Sequence, residues 1–438
     1  MISREPEAPD RTRELMAMWR TARESFGLSA EHSVCRNIQR LAKVWNEPLY
    51  CCTRRALANL ETARETASRM ADRIPPPEAF QSGLEIAFAP TPGGTDTSVR
   101  IPEDQLTLHG MIAGLPGSGK TWFVRRLLAC LIRACPHVRI LVFDPNDSFA
   151  SFCADPRMWL TILWLYLRLN PIVPPPGFPL ELWLSGALDL LGRGYLMHSL
   201  HLVQRRLDAL VAEARRVAAS EETIEFPSLF DLRDNLVHRK CRPGSKEDQY
   251  RESAVNLLDG RLRSTASVYD CARGMEPLLT STRARISTKG LSPVASLEFL
   301  INNLIHYVYR ARSTGPLIEP PRLHTLIVIE EAQTLLERRA GGGITFYQEI
   351  LLRARSLGIG FLFVTQSIDL IDPLVLAAVS NHFIFGQSSA QAKRVVRETL
   401  DLSRRETEML GELQTGEVFV KFAGHPTWPH PFLARVRP

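Results

Sequence analysis

The fold of this chain is decided by LTLHGMIAGLPGSGKTWFVRRLLACLIRAC, residues 106–135. Its opening, LTLHGMIAG, predicts a buried strand, whereas WFVRRLLACLIRAC repeats apolar residues at the helical period. Between them, GLPGSGKT has the GxxxxGK(S/T) pattern. In this pattern glycines let the backbone curl around phosphate oxygens, and the N-terminus of the following helix favours negative charge. The segment therefore predicts a strand, a phosphate-binding loop and a helix in succession.

The loop consists of residue types that bind a nucleoside triphosphate with magnesium. The side chain of Lys120 can reach the β- and γ-phosphate oxygens, and the hydroxyl of Thr121 can coordinate Mg²⁺. The sequence therefore predicts ATP and Mg²⁺ as cofactors. The predicted nucleotide-binding residues are Gly114, Leu115, Pro116, Gly117, Ser118, Gly119, Lys120 and Thr121.

Further strands on both sides of this segment complete the predicted core. HVRILVFDP, residues 137–145, follows the helix, so that strand, loop, helix and strand form a parallel βαβ unit. GLEIAFAP and TSVRIP alternate apolar and polar residues around a turn at Pro92–Gly94 and predict a hairpin. Later strands are predicted in LHTLIVIEE, GIGFLFVTQ, NHFIFGQ, GEVFVKF and FLARVR. The predicted fold class is α/β, with a doubly wound and mostly parallel sheet.

The remaining sequence predicts two helical regions. Residues 1–77 repeat apolar residues at helical spacing until three successive prolines end the pattern, and this region is a candidate docking surface for a partner. Residues 151–320 predict a mostly helical lobe inserted between the two parts of the core, residues 78–150 and 321–438. Within the lobe, the apolar stretch Met158–Leu167 predicts a buried helix that is too short to span a membrane.

A pair of glutamates follows the apolar run of LHTLIVIEE. A buried parallel strand delivers such side chains to its carboxyl end, where Glu330 is predicted to share Mg²⁺ with Thr121 and Glu331 to act as the base that activates water. The next strand ends in Gln366, whose amide can contact both the γ-phosphate and that water. The alternatives are an exposed acidic helix start for the pair and a polar strand end without a role for Gln366.

The composition is that of a folded globular protein, with 45% hydrophobic and 23% charged residues. No transmembrane stretch or signal peptide is evident, so a cytoplasmic location without membrane contact is predicted. The net charge of +6 permits contact with nucleic acid if it gathers on one surface. Two candidate basic patches could equally be solvated loops, one with His238, Arg239, Lys240, Arg242 and Lys246 and the other with Arg283, Arg285 and Lys289.

In the order and kind of its motifs the chain resembles the ring-forming HerA/FtsK-type ATPases, which pump double-stranded DNA, and among them the HerA-like branch. RSLGIGFLFVTQS, residues 355–367, is the most particular of these motifs. The others are TLHGMIAGLPGSGKT, FDPND, LRLNPIVPPPG, LIVIEEAQ and LGELQTGEVFV. Together these motifs span most of residues 106–438.

This resemblance implies a RecA-like core, a hexameric ring around duplex DNA, ATP between neighbouring subunits and a nuclease as a frequent partner. It also implies that Arg355 reaches the ATP of the neighbouring subunit, with Arg353 as the second choice and an ordinary helix salt bridge as the alternative. Asp144 in FDPND would lie near the phosphates, either with a role there or as a turn cap.

The sequence departs from the family pattern at two places. Glu330 stands where the family more often has Asp, and the N-terminal region is helical where HerA proteins usually carry a small β-barrel. The longer carboxylate predicts slow turnover, because magnesium demands near-ideal octahedral geometry.

The function predicted from the sequence is an ATP-driven HerA-like motor on double-stranded DNA, working with a separate nuclease or effector in DNA processing or anti-phage defence. One alternative is an ATP-regulated ring scaffold that switches an effector without translocating DNA. Another is a conjugation- or secretion-type ATPase.

Overall fold

Eleven β-strands of the described residues form one mixed sheet. The computed structural model describes residues 8–26, 28–69, 75–90, 96–192, 197–218, 224–272, 274–275, 281–292, 294–315, 321–337, 346–425 and 427–436. Across the sheet the strands are β2 (Asp96–Ile101), β1 (Leu84–Pro90), β11 (Phe432–Arg435), β10 (Glu417–Phe422), β9 (Asn381–Ile384), β3 (Gly110–Ala113), β8 (Ile359–Thr365), β7 (Thr325–Ile329), β4 (Arg139–Asp144), β6 (Arg283–Ser287) and β5 (Leu160–Leu163).

The strands from β9 to β5 are parallel to one another and form the predicted core. Every residue of β3, β7, β8 and β9 is buried, as expected for strands with both faces covered. Successive residues of β8 join different apolar clusters, since Phe361 and Phe363 pack on one face and Leu362 and Val364 on the other. The α/β fold with a mostly parallel sheet is confirmed.

Helices cover both faces of this sheet. The helix after the phosphate loop packs its apolar side on the cluster that contains Leu362, whereas the helix before β7 packs on the opposite cluster. The helices are α1 (Ala8–Arg20), α2 (Ser33–Lys43), α3 (Glu47–Arg69), α4 (Lys120–Ala134), α5 (Leu180–Gly192), α6 (Met197–Ala218), α7 (Leu229–Val237), α8 (Lys246–Leu262), α9 (Ala266–Tyr269), α10 (Val294–Ser313), α11 (Gln333–Leu336), α12 (Phe346–Ala354), α13 (Pro373–Ala378), α14 (Ala390–Leu400) and α15 (Arg404–Met409). No described helix has the combination of length and apolar composition that crossing a membrane requires.

Four antiparallel strands extend the sheet beyond β9. β10 pairs with β9, β11 with β10, and β1 with both β11 and β2. The predicted hairpin is therefore present as β1 and β2, and its turn at Pro92–Gly94 lies outside the described residues.

The N-terminal region is helical, as predicted, and has an apolar cluster of its own. Residues 21–25 continue α1 as a short π-helix, and α2 and α3 follow. Leu15, Ile38 and Leu57 are among the buried side chains of this cluster. The part of the predicted helical stretch at residues 70–74 lies outside the described residues. The division of the chain into domains, and the docking role of residues 1–77, stay predictions.

Two expectations about residues 151–320 are wrong in part. Met158–Leu167 is not a buried helix: it contains β5 and a short 3-10 helix at Trp164–Tyr166, and Tyr166 is 70% exposed. The segment also contributes β5 and β6 to the main sheet, so it is not wholly an insertion outside the core. Its strand RARIS was overlooked because two arginines break the apolar pattern of β6.

The strand predicted in LTLHGMIAG is shorter than expected. Residues Glu103–Leu108 form a 3-10 helix, and β3 begins at Gly110. His109 separates the two with a left-handed backbone, φ 58°. The chain therefore turns sharply before it enters the sheet.

Candidate functional site

The phosphate-binding loop lies between the carboxyl end of β3 and the start of α4. β3 is paired with β8 on one side and β9 on the other, which places the loop at the middle of the parallel sheet. Gly119 precedes α4 with φ 106°, a left-handed conformation that favours glycine. A Cβ at Gly119 would also stand 3.3 Å from the backbone nitrogen of Gly416. The sequence at this position is thus dictated by backbone geometry.

The side chain of Lys120 is folded back on its own loop. Its Nζ donates hydrogen bonds to the carbonyl oxygens of Gly114 at 2.5 Å and Leu115 at 2.8 Å. Burial lowers the pKa of Lys120, while the nearby charges of Glu331 and Glu330 act to raise it. The two carboxylates favour the charged form of the buried ammonium group, and a charged ammonium group can bind a phosphate oxygen.

Glu330 emerges at the end of β7 and points towards the start of α4. Its side chain is buried, with Oε1 at 3.4 Å from the Oγ1 of Thr121, and its Oε2 accepts a hydrogen bond from the hydroxyl of Ser148. Burial raises the pKa of Glu330 to about 7; the hydrogen bond from Ser148 opposes this rise, and Asp144 and Glu331 add to it. A hydroxyl oxygen and a carboxylate oxygen at this separation are ligands that Mg²⁺ prefers.

Glu331 points to the neighbouring strand instead. Its Oε1 accepts hydrogen bonds from Nε2 of Gln366 at 2.5 Å and Nδ2 of Asn146 at 3.2 Å, and its Oε2 accepts one from Nε2 of Gln333 at 2.5 Å. The backbone of Glu331 is left-handed, with φ 51°, which costs a non-glycine residue on the order of 1 kcal/mol. Such strain persists where the surrounding contacts impose it, and it is concentrated at functional sites.

These groups line one cleft of about 400 Å³. Five of the eight loop residues line it, together with both glutamates and Gln366, whereas Gly114, Leu115 and Ser118 do not. The lining residues are Pro116, Gly117, Gly119, Lys120, Thr121, Trp122, Arg125, Asn146, Ser148, Glu330, Glu331, Val364, Thr365 and Gln366. The residues predicted from strand ends and from the glycine loop are therefore brought together.

Several site residues were not identified from the sequence. Asn146 and Ser148 come from the loop after β4, and Gln333 begins α11 and accepts a hydrogen bond from Thr365 at 2.7 Å. A signal was present in FDPNDS and IEEAQ, because polar side chains that directly follow buried parallel strands meet at one edge of the sheet.

Asp144 lies at the end of β4 with a fully buried side chain. It accepts hydrogen bonds from the backbone nitrogens of Ser148 and Phe149, both at 2.9 Å. It also forms an ion pair at 2.7 Å with Arg285 of β6. Asp144 therefore caps the turn, which is one of its two predicted roles.

The two candidate basic patches have different outcomes. Arg285 is buried in β6 and pairs with Asp144 and Asp147, and Lys289 pairs with Asp147 at 3.2 Å, so the second patch is wrong. In the first patch, Arg239 pairs with Glu247. The other members of the first patch are exposed, and its role in contacting nucleic acid stays a prediction; they are His238, Lys240, Arg242 and Lys246.

Arg355 lies at the opposite edge of the sheet from the cleft. It follows α12 and precedes β8, whose seven residues place it roughly 20 Å or more from Gln366 at about 3.3 Å per residue. Its side chain is exposed and does not line the cleft of its own chain. Arg353 is also exposed and forms an ion pair with Glu349 at 3.7 Å.

Comparison with known proteins agrees with this geometry. A family model described as the central domain of helicase HerA matches residues 90–158, which include the whole phosphate loop. The chain is 24% identical over 336 residues to the DNA double-strand break repair helicase HerA of Sulfurisphaera tokodaii. That match covers 75% of this chain and 65% of the relative, so the chain spans slightly less than two thirds of the length of the curated relative that it matches.

Solved structures share the fold at low sequence identity. VirB4 of Thermoanaerobacter pseudethanolicus has a TM-score of 0.60 and 16% identity, with coverage of 82% of this chain and 98% of that chain. The bacterial conjugative coupling protein TrwB has a TM-score of 0.61 and 14% identity, with coverage of 82% and 90%. Over three quarters of its length the chain is therefore similar in sequence to helicase HerA, and it shares its fold with VirB4 and TrwB.

Proposed function

We propose that this chain is an ATP-hydrolysing motor that acts on double-stranded DNA as a hexameric ring. The ATP-hydrolysing part of the proposal rests on the convergence of five side chains on one cleft, namely those of Lys120, Thr121, Glu330, Glu331 and Gln366. Phosphate-binding, metal-binding and water-activating groups are the parts that phosphoryl transfer to water requires.

The phosphate-binding role belongs to the loop and Lys120. The ammonium group donates to two loop carbonyls, and it can exchange these for the β- and γ-phosphate oxygens. The amides at the start of α4 add partial positive charge at the same place. The predicted nucleotide is ATP.

Thr121 and Glu330 are the residues that would hold Mg²⁺. When bound there, the ion neutralises charge on the phosphate oxygens. Hydroxyl and carboxylate oxygens 3.4 Å apart fit this role, and the hydrogen bond from Ser148 keeps the second oxygen of Glu330 turned away from Thr121.

Glu331 and Gln366 would act on the attacking water. Glu331 is the general base in this proposal, and its hydrogen bond with Gln366 supports a role for that amide beside the attacking water and the γ-phosphate. Asn146 and Gln333 donate hydrogen bonds to two further lone pairs of the carboxylate, and one lone pair of Oε2 is left to accept a proton from water.

Arg355 completes the site of the neighbouring subunit in this proposal, with Arg353 as the second choice. Arg355 is too far from its own cleft to contact nucleotide there, and an exposed arginine at the sheet edge is available to an adjacent protomer. A guanidinium supplied in trans stabilises charge on the γ-phosphate and makes hydrolysis depend on assembly.

The action on DNA is supported by the HerA likenesses. The matched relative is a DNA double-strand break repair helicase, and the matched family model is the central domain of helicase HerA. We further propose that a separate nuclease or effector works with the ring in DNA processing or anti-phage defence. The helical region at residues 1–77 is its proposed docking surface.

Two alternatives differ in what ATP turnover drives. In the first, ATP sets the state of a ring scaffold that switches an effector without translocation. The second is a conjugation- or secretion-type ATPase, which is favoured by the structural likeness to VirB4 and to the conjugative coupling protein TrwB.

Steady-state ATP hydrolysis with and without long duplex DNA tests the proposal, together with the mass of the particle. A motor hydrolyses ATP faster on duplex DNA and has the mass of six chains. Lys120→Ala should abolish hydrolysis by removing the charge that balances the phosphates. A DNA-independent rate would favour the scaffold, and hydrolysis that survives Lys120→Ala would refute the site.

A further inference from the structure

The loop of residues 145–149, which follows β4, holds the two glutamates by separate contacts. Ser148 donates its hydroxyl hydrogen to Oε2 of Glu330, and Asn146 donates from Nδ2 to Oε1 of Glu331 at 3.2 Å. Adjacent carboxylates of like charge are thereby turned in different directions, one towards Thr121 and the other towards Gln366.

We propose that Ser148 and Asn146 are positioning residues with different duties, Ser148 for metal binding by Glu330 and Asn146 for water activation by Glu331. The inference rests on the proposed function of the cleft. It adds to that function a division of labour within a single loop.

The conformation of the loop is imposed from outside it. Asp144 is buried and accepts two backbone hydrogen bonds from the loop, and Asp147 has a left-handed backbone with φ 56°. Arg285, only 4% exposed, joins the two aspartates through Nε at 2.7 Å and Nη2 at 2.5 Å. Asp147 also accepts a hydrogen bond from the hydroxyl of Ser287 at 2.6 Å.

This brace leaves Ser148 and Asn146 little freedom relative to the sheet. Arg285 and Ser287 belong to β6, which pairs with β4, so the loop is tied to two neighbouring strands. Glu330 and Glu331 each have three rotatable side-chain bonds, so ordering a carboxylate that no partner holds costs conformational entropy. The loop supplies that partner before nucleotide arrives.

The two contacts predict separable defects. Ser148→Ala removes the only hydroxyl that Glu330 Oε2 contacts among the described hydrogen bonds, so metal binding should weaken by about tenfold or more, as for other residues that orient metal ligands. Asn146→Ala leaves Glu330 untouched, so it should lower kcat by about tenfold through misplacement of Glu331, with metal binding unchanged.

The Ser148 half is tested by binding rather than turnover. In a Glu331→Gln background, the affinity for ATP is measured with Mg²⁺ and with EDTA. The ratio of ATP affinity with Mg²⁺ to ATP affinity in EDTA should be about tenfold smaller in Ser148→Ala than in the parent. The affinity in EDTA should be unchanged, and Ser148→Thr should restore the ratio. Ser151→Ala, at an exposed serine three residues later, is the matched control and should behave as the parent.

The Asn146 half is tested by substitution with its isostere. A donor that orients Glu331 makes Asn146→Asp worse than Asn146→Ala in kcat, because the aspartate cannot donate and repels the glutamate. A merely structural asparagine would make the isosteric aspartate the milder change. Both variants should keep the Mg²⁺ gain of the parent.

The outcomes separate the inference from the function on which it rests. The inference is overturned if Mg²⁺ increases the ATP affinity of Ser148→Ala as much as that of the parent. It is also overturned if the Ser148 and Asn146 variants lose Mg²⁺-dependent affinity and kcat to the same extent. If the parent shows no Mg²⁺-dependent hydrolysis, the proposed function is overturned, and so is the role of Asn146 in orienting Glu331. The increase in ATP affinity that Mg²⁺ gives then still tests the role of Ser148 in metal binding by Glu330.

Discussion

The two ends of the parallel strands differ in how their functional side chains are held. At the carboxyl ends, Glu331 accepts hydrogen bonds from Asn146, Gln333 and Gln366, which come from three separate segments. At the amino end of β8, Arg355 presents an exposed side chain. The groups at the carboxyl ends are thus held by hydrogen bonds within one chain, whereas the exposed side chain of Arg355 is accessible to groups outside that chain.

The largest expected effect comes from removing the side chain of Arg355, at the amino end of β8. Arg355→Ala should bind ATP normally and lower the rate of hydrolysis by on the order of 10³ or more, since an arginine finger in related systems contributes that much. Steady-state ATPase activity and nucleotide affinity are measured together. Arg404→Ala, which removes the same charge at an exposed position of α15, is the matched control, and Arg353→Ala tests the second choice.

Mixed rings show whether Arg355 acts across the interface. Arg355→Ala and Glu331→Gln subunits, each inactive alone, are combined under conditions that exchange protomers, with exchange confirmed by mass. Activity should partly return, because some interfaces then pair an intact Arg355 with an intact Glu331. No recovery would count against the trans assignment and favour Arg353 or a role within the chain.

The next largest effect comes from removing the basicity of Glu331, at the carboxyl end of β7. Glu331→Gln should retain ATP affinity and lower turnover by about 10²- to 10³-fold, because the amide keeps the shape of the side chain and loses its basicity. Binding is measured by titration and turnover by phosphate release. Glu408→Gln, an exposed glutamate on α15, serves as the control. Turnover at the parent rate would place the base elsewhere.

A smaller effect on the rate of hydrolysis is expected for Glu330→Asp, for which the sequence and the structure lead to opposite expectations. The sequence alone predicts that Glu330→Asp speeds a slow enzyme. In the structure, Thr121 and Ser148 both contact the longer carboxylate, so shortening it should lower the rate by about tenfold. The rate is followed across a Mg²⁺ titration. A higher rate for the aspartate variant would restore the expectation from sequence.

The smallest effect concerns stability and pH. Burial raises the pKa of Glu330 to about 7, above the value of about 4.3 in an unfolded chain, so folding favours the neutral acid. Its contribution to the stability of the nucleotide-free protein is therefore full below about pH 4 and is lost as the pH rises through about 7. We therefore expect the free energy of unfolding of Glu330→Gln, minus that of the parent, to be about 1–3 kcal/mol higher at pH 8 than at pH 4.

Melting temperatures of the two proteins across this pH range provide the measurement. The difference between Glu330→Gln and the parent should grow between pH 4 and pH 8. The exposed control Glu408→Gln should show a constant difference. A constant difference for Glu330→Gln as well would mean that this carboxylate does not resist ionisation in the fold.

Where the sequence failed, local pattern and tertiary pairing disagreed. Met158–Leu167 is apolar enough for a buried helix, but pairing with β6 makes Leu160–Leu163 a strand at the edge of the sheet. The arginine of β6 at position 285 looked like part of a basic patch, because the aspartates that neutralise it lie 141 and 138 residues away in sequence. No window of sequence contains that ion pair.

The sequence by itself determined the phosphate loop, the helix after it and the strands that carry Glu330, Glu331 and Gln366. These depend on local causes: glycine conformation, apolar periodicity, and the rule that parallel strands deliver their carboxyl ends to one edge. The sequence does not show which side chains hold the two glutamates in different directions, and this follows from the tertiary structure. Ser148 and Asn146 are 182 and 185 residues from the carboxylates that they contact, so their partners are set by the order of strands in the sheet.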